Sequence, residues 1–333
     1  YDSWLKSFKR RINIDWKKKA GRKDFLYPVP MVTLIPNDNE AILDVHVEIR
    51  EKPQKITIKP RVGKTGVQFN TTDITVKSGE LSGFLKIKCT KPLTDDLVVD
   101  ILADNQVCGQ LIILQNDTTA IKDINVVLVH VKSDFAGYNK EKIGTPVSGG
   151  ERMLDNALKQ ALVKGNVKTM VDELDLRGSY RFWGAFEIAN DFRDKFATKR
   201  GNNYIINNDQ NLLSYLNIEF DKQFATYLAS NAVDYRIYFI AETGVWNGFA
   251  EEIQRAGVYF PGHNAATVPH ELMHAMGLAH TFVNDNADAA AQYTYKAGQT
   301  VNIMDYSHQR RFGNKNRNSL FHWQWKLLNS KMK

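Results

Sequence analysis

The chain of 333 residues holds only two cysteines, Cys89 and Cys108, and nine prolines. That count excludes a zinc site made of thiolates, so any metal must be held by other side chains. A cross-strand disulfide between the two would stabilise the fold by about 3 kcal/mol. The expectation is instead two small, buried free thiols. Long hydrophobic runs are missing as well. The most apolar stretches, 124–131 and 111–114, are strand-length, well short of the roughly 20 residues that a helix needs to cross a bilayer. Internal repeats and low-complexity tracts are absent. No secretory leader pattern is present, and because the chain opens on Tyr1 a processed or trimmed longer protein is expected. With 43% hydrophobic residues, global disorder is excluded, and the length suits two ordinary domains.

Charge is unevenly placed. Of the formal +7, residues 1–24 carry nine Lys/Arg against three Asp, a net +6, which leaves +1 for the remainder. The folded body therefore lacks the basic stripe of a nucleic-acid binder, and no specific nucleic-acid partner is expected. In the basic head, Trp4, Phe8, Ile12 and Trp16 recur at four-residue steps among Lys6, Lys9, Arg10, Arg11 and Lys17. On a helix these side chains form one apolar stripe with a cationic surround, suited to a membrane surface or a partner. A connecting segment that packs on its own neighbour, or on an upstream domain, has the same pattern.

From residue 30 to 118 the sequence reads as short strands at 41–50, 55–59, 67–70, 74–77, 84–89, 97–102 and 108–114. Turn signals at Pro53, Gly63, Gly66, Pro92 and Asp104-Asn105 separate them. The spacing predicts an all-β, immunoglobulin-like sandwich acting as an accessory domain. His46, on an alternating strand, is expected to be structural. After a polar break at 116–122 the texture changes. Residues 124–131 read as a strand buried on both faces. Helices are expected at 151–163, 167–176 and 212–229, and a strand at 235–240. Residues 119–333 thus form an α+β domain.

The most informative stretch is 267–282, TVPHELMHAMGLAHTF, which contains His270-Glu271-x-x-His274-x-x-Gly277-x-x-His280. His270 and His274 are one helical turn apart, so both imidazoles can face one ion. Glu271 flanks that face and can reach a water on the ion without being a ligand. Gly277 has no Cβ, so the backbone can end the helix with positive φ and turn sharply. His280 then becomes the third ligand, leaving one tetrahedral position for water. A chance match to all five positions in this chain is on the order of 10⁻⁵. Leu272, Met273, Met276 and Leu278 would be the core-facing side of the helix.

Asn302-Ile303-Met304-Asp305-Tyr306 follows, with Met304 24 residues beyond His280. Together the two motifs resemble the metzincin zinc metallopeptidases, in which a Met-turn packs beneath the three histidines. Within that clan the sequence is most similar to the pappalysin-like group. The residues behind this are His280-Thr281-Phe282, Met304-Asp305-Tyr306 and an edge-strand pattern at Gly257, Val258, Tyr259 and Phe260. The resemblance implies a catalytic domain with a twisted mixed sheet, an active-site helix and a Met-turn. It also implies Tyr306 as a zinc ligand or hydrogen-bond donor to the oxyanion, if it is not simply a core aromatic. The stretch 283–300 lacks the cysteines that often staple this region in the group. There Asn284, Asp285, Asn286 and Asp288 suit either a calcium ion or a solvated polar loop. His263, His308, His322 and His130 have no ligand spacing and are expected outside the metal shell.

The expected activity is zinc-dependent hydrolysis of peptide bonds. One Zn²⁺ on His270, His274 and His280 would activate a water, with Glu271 as general base and Tyr306 assisting at the oxyanion. A protein or peptide substrate would add as an antiparallel strand along 257–260. A different class stays open: a non-catalytic binding or targeting protein, stabilised by zinc, that works through its sandwich. The basic head and accessory domain suit a secreted protease after processing, or the peptidase end of a delivered bacterial effector. Either would act outside the producing cell.

Overall fold

The computed structural model describes residues 11–13, 26–49, 53–63, 66–74, 76, 79–181, 186–207, 209–282, 294–306 and 316–332. The chain divides into two compact, β-rich units. The first comprises Tyr1–Lys122, Lys159–Val163 and His322–Asn329. The second comprises Asp123–Leu158, Lys164–Phe321 and Ser330–Lys333. A single cut at 118/119 was the simplest expectation from composition. The observed division lies at 122/123, and two short later segments belong with the first unit.

In the first unit a five-stranded sheet runs Met31–Val32, Gln106–Ile113, Leu97–Ala103, Ile56–Pro60 and Asp73–Ile74. A three-stranded antiparallel sheet runs Glu40–Ile49, Gly79–Cys89 and Val67–Phe69. Alternation decides which side chains go inside. Leu85, Ile87 and Cys89 are buried while Phe84, Lys86 and Lys88 are exposed. Buried residues of both sheets, including Ile58, Val99, Leu111, Ile113, Leu85 and Ile87, form one core cluster. Each fully buried aliphatic side chain stabilises it by roughly 1.5–3 kcal/mol. Cys89 and Cys108 are free thiols, with their Sγ atoms against the Lys91 and Ile101 carbonyls; only Cys89 is buried, and Cys108 is half-buried. The amphipathic helix expected near the start is not formed around Ile12. Arg11–Asn13 is instead a strand, antiparallel to Leu26–Pro28. Trp4, Phe8 and Trp16 lie outside the described residues.

The second unit is built on a mixed sheet. Lys122–Ser133, Tyr235–Phe239 and Ala256–Tyr259 run parallel in that order, and Gly248–Glu251 closes the edge antiparallel. Val126, Val127, Leu128 and Val129 are all buried, as a strand covered on both faces requires. Helix Gly150–Gln160 buries Leu154, Ala157 and Leu158, an i, i+3, i+4 stripe. The expected helix at 212–229 is two pieces, Asn211–Gln223 and Ala225–Ser230, broken at Phe224. Leu212, Leu213, Leu216 and Phe220 from the first piece enter the core beside Val129, Tyr238 and Val258.

Two expectations fail here for identifiable reasons. Residues 167–176 are not helical: Val163–Thr169 and Leu174–Asp175 are strands paired with Lys122–Ser133. Val163, Val167 and Thr169 are β-branched, and Gly165 lowers helix propensity, so tertiary pairing wins. Gly257, Val258, Tyr259 and Phe260 do not form an edge for substrate. Ala256–Tyr259 is interior, flanked by strands on both sides and buried throughout, and Phe260 is buried just beyond it. A continuous apolar run is the mark of an interior strand. The edge is Gly248–Glu251, whose residues are half-buried.

Candidate metal centre

The motif helix, Thr267–Ala275, is positioned from both ends. Asn264 Oδ1 accepts hydrogen bonds from the backbone N–H of Ala266 and Thr267, at 3.0 and 3.1 Å, and so starts the helix. Pro269 lies in the first turn, where a missing N–H costs nothing. At the other end Gly277 adopts φ +84°. Its N–H donates to the His274 carbonyl and the Leu278 N–H to the Met273 carbonyl, both at 2.8 Å, a Schellman closure. Lys331 Nζ, paired with Glu252 at 2.6 Å, lies 3.3 Å from the Gly277 carbonyl.

A Cβ at Gly277 would meet the ends of Lys331 and Glu252, which are flexible and can swing away. The backbone angle is the larger obstacle. Gly277→Ala is therefore expected to cost about 1–2 kcal/mol of stability, measurable as a lower midpoint in denaturant unfolding.

This turn brings the third histidine back onto the first two. The ring centroids of His270 and His274 are 4.8 Å apart, those of His270 and His280 5.3 Å, and those of His274 and His280 4.5 Å. One nitrogen from each lies within 4.8 Å of the others, close enough to hold one metal ion. Two imidazole nitrogens on one tetrahedral ion, each about 2.05 Å from it, sit roughly 3.3 Å apart. His274 Nε2 and His280 Nε2 are 3.1 Å apart. The tautomers fit as well. His270 Nδ1 lies 2.8 Å from the Ile303 carbonyl and His274 Nδ1 2.7 Å from the Leu278 carbonyl. With Nδ1–H donating in each, Nε2 keeps its lone pair for a metal. Burial, the neighbouring histidines and the Arg317 charge hold His270 well below the usual imidazole pKa, in its neutral, ligating form.

Glu271 is not among the three grouped donors. It is 8% exposed, and burial pushes its carboxyl up to about 8 against the opposing pull of Arg317. Two glycines lie against it, near enough that a Cβ at either would be in ordinary van der Waals contact. A Cβ at Gly257 would sit 3.5 Å from Glu271 Cβ, and one at Gly248 would sit 3.4 Å from Glu271 Cγ. The edge strand therefore passes directly over the carboxylate-bearing side chain.

The 302–306 turn contacts both ends of the histidine motif. The Ile303 carbonyl accepts from His270, and the Met304 carbonyl from the Thr281 N–H at 3.2 Å. Met304 is fully buried. Asn302 Oδ1 accepts from the Met304 N–H at 2.8 Å. The buried Asp305 carboxylate accepts from the N–H groups of Gly298, Thr300 and Tyr306 and from the Thr300 hydroxyl, all within 2.8 Å. The Tyr306 ring lies 4.9 Å from the His280 ring and 5.8 Å from that of His270. Phe282 stacks on His280 at 4.9 Å.

The structure thus brings together His270, His274, His280 and Tyr306, with Glu271 and Met304 on the same two elements. Among the described residues, His130, His263 and His322 are not in that group. His130 Nδ1 meets the Gly144 carbonyl at 2.7 Å, and His263 Nδ1 the Phe260 carbonyl at 2.8 Å. His322 begins helix His322–Lys331. His308, the side chain of His46 and the calcium candidates Asn284, Asp285, Asn286 and Asp288 lie outside the described residues. Sequence reasoning missed Arg317, Asn264 and Gly248, and it gave Asp305 of the 302–306 motif no role of its own. Only Asn264 carried a readable signal, an Asx residue just ahead of a helix.

No family model matches the chain, and no curated protein matches it. Among solved structures it is similar to a Bacteroides ovatus GH5 xyloglucanase in complex with a XXXG heptasaccharide, at 10% identity and a TM-score of 0.19. That match covers 86% of this chain and 62% of the other, so the chain spans less than two thirds of the protein it matches.

Proposed function

We propose that the protein is a zinc-dependent endopeptidase of the metzincin type, similar to the pappalysin-like group, preceded by an immunoglobulin-like accessory domain. One observation carries the reading: three imidazoles converge with metal-ligand spacing while the neighbouring Glu271 stays out of the set. The parallel strands with one antiparallel edge strand, the glycine-terminated helix and the Met304 turn all support it. The five- and three-stranded sheets that share one core support the accessory sandwich. Action outside the producing cell is part of the same proposal.

His270, His274 and His280 would hold the ion through Nε2. When bound, zinc supplies a Lewis acid for the scissile carbonyl and acidifies a coordinated water toward a pKa of about 7. Glu271 would take the proton of the attacking water as a carboxylate and pass it to the departing amine nitrogen. Tyr306 would donate its phenolic hydrogen to the carbonyl oxygen as negative charge builds. The peptide would add along Gly248–Glu251, the half-buried edge strand beside Glu271, through main-chain hydrogen bonds.

The test is a cleavage-site profile on a peptide library with the zinc-loaded protein, with and without chelator. Chelator-sensitive cuts are expected at a reproducible set of bonds. One equivalent of tightly held zinc with no cut in any peptide would overturn the peptidase and favour a zinc-stabilised binding protein.

A further inference from the structure

The edge strand Gly248–Glu251 offers main-chain and apolar contacts side by side. Gly248 pairs with Tyr259 and Phe249 with Val258, so Asn247 stands opposite Phe260. The Phe260 N–H donates to the Asn247 carbonyl at 3.0 Å, which makes that a hydrogen-bonded pair. Such pairs alternate in an antiparallel ladder. Phe249 therefore turns its N–H and carbonyl inward to Val258. Those of Gly248 and Ala250 face outward, where no strand among the described residues meets them.

Side chains alternate as well. Gly248 lies on the Glu271 face of the strand. Phe249 points to the opposite face and packs on the core cluster that holds Val258 and Phe260, its ring 6.3 Å from that of Phe260. Trp246 meets Phe249 edge-on at 6.5 Å and is 51% exposed, as is Val245 beside it. The loop that carries them is fixed at both ends. The Val245 N–H donates to the Ile206 carbonyl at 3.0 Å, and Phe260 holds the Asn247 carbonyl. Between them Gly244 presses on the Phe260 ring, where a Cβ would come within 2.5 Å. The indole is thus a rigid apolar surface beside an open ladder.

We infer that this edge selects extended peptide segments with an aromatic side chain at the residue opposite Phe249, laid against Phe249 and Trp246 on the face away from Glu271. That residue forms a non-hydrogen-bonded pair with Phe249, the kind in which cross-strand side chains approach most closely. Its two neighbours exchange main-chain hydrogen bonds with Gly248 and Ala250. The inference deepens the proposed function by naming a substrate class, and it rests on that function for cleavage alone.

The test has two arms, both on the full chain. In the first, zinc-loaded wild type and Trp246→Ala are profiled on a peptide library. Wild type is expected to enrich aromatic residues at one fixed distance from the cut, and Trp246→Ala to lose that enrichment and keep any others. In the second, chelator-treated protein is titrated with labelled threonine-rich peptides bearing one central phenylalanine, read by fluorescence anisotropy. Replacing the phenylalanine by alanine is expected to raise Kd about 3–5-fold in wild type and to change nothing in Trp246→Ala. N-methylation of either neighbour's amide is expected to raise Kd about 3–10-fold, whereas the phenylalanine's own amide tolerates it. The methylation series needs only wild type, so it decides even if Trp246→Ala fails to fold. An aromatic enrichment that survives in Trp246→Ala overturns the inference. So does an alanine peptide that binds as tightly, an equal loss from all three methylated positions, or no binding at all. No cut in any peptide would sink the peptidase and leave the binding arm to decide.

Discussion

Replacing Glu271 by glutamine is expected to leave zinc bound and to lower kcat/KM for peptide cleavage by about three orders of magnitude. General acid–base groups contribute on the order of 10²–10⁴ in rate. Here one carboxylate is asked both to accept a proton and to return it. Glutamine keeps the volume between Gly248 and Gly257, so packing against the edge strand survives. It cannot take up the proton. Zinc content should stay near one equivalent, because the three grouped donors are His270, His274 and His280. Side-by-side kinetics and metal analysis of wild type and Glu271→Gln check both halves. A variant that cuts at the wild-type rate would mean another group is the base.

Zinc itself is expected to stabilise the second unit strongly. A ligand bound only by the folded state at 1,000 times its Kd adds about 4 kcal/mol of unfolding free energy. For a unit of this size that corresponds to a Tm higher by roughly 10 °C. His280→Ala should remove most of this response, since His280 is brought back to the helix by the Gly277 turn and completes the trio. Thermal scans of both proteins across a zinc titration give the answer. An identical zinc-dependent rise in the two would place the ion elsewhere.

The sequence revealed the histidine cluster more readily than the architecture around it. The histidine spacing and Gly277 obey local rules of helix geometry and backbone conformation, and the observed trio and the φ of +84° follow them. Some strands of the first unit were legible for the same reason, as where burial alternates through Phe84–Cys89. What failed was non-local. Residues 167–176 carry apolar side chains compatible with a helix, and only pairing with Lys122–Ser133 makes them strands. The run 257–260 looked like an edge because its neighbour Gly248–Glu251 is a weak, four-residue strand. Arg317 was invisible because nothing in its local sequence marks it as the partner of a histidine 47 positions earlier.

The antiparallel edge strand also fixes a direction of travel. Gly248–Glu251 runs against Ala256–Tyr259, and an added chain that opposes it in turn must point the same way as the three parallel strands. Two reversals restore the original heading. A guest laid along this margin would therefore have a set amino-to-carboxyl orientation, and a mirror-ordered copy of the same side chains would present its amides in the wrong sense.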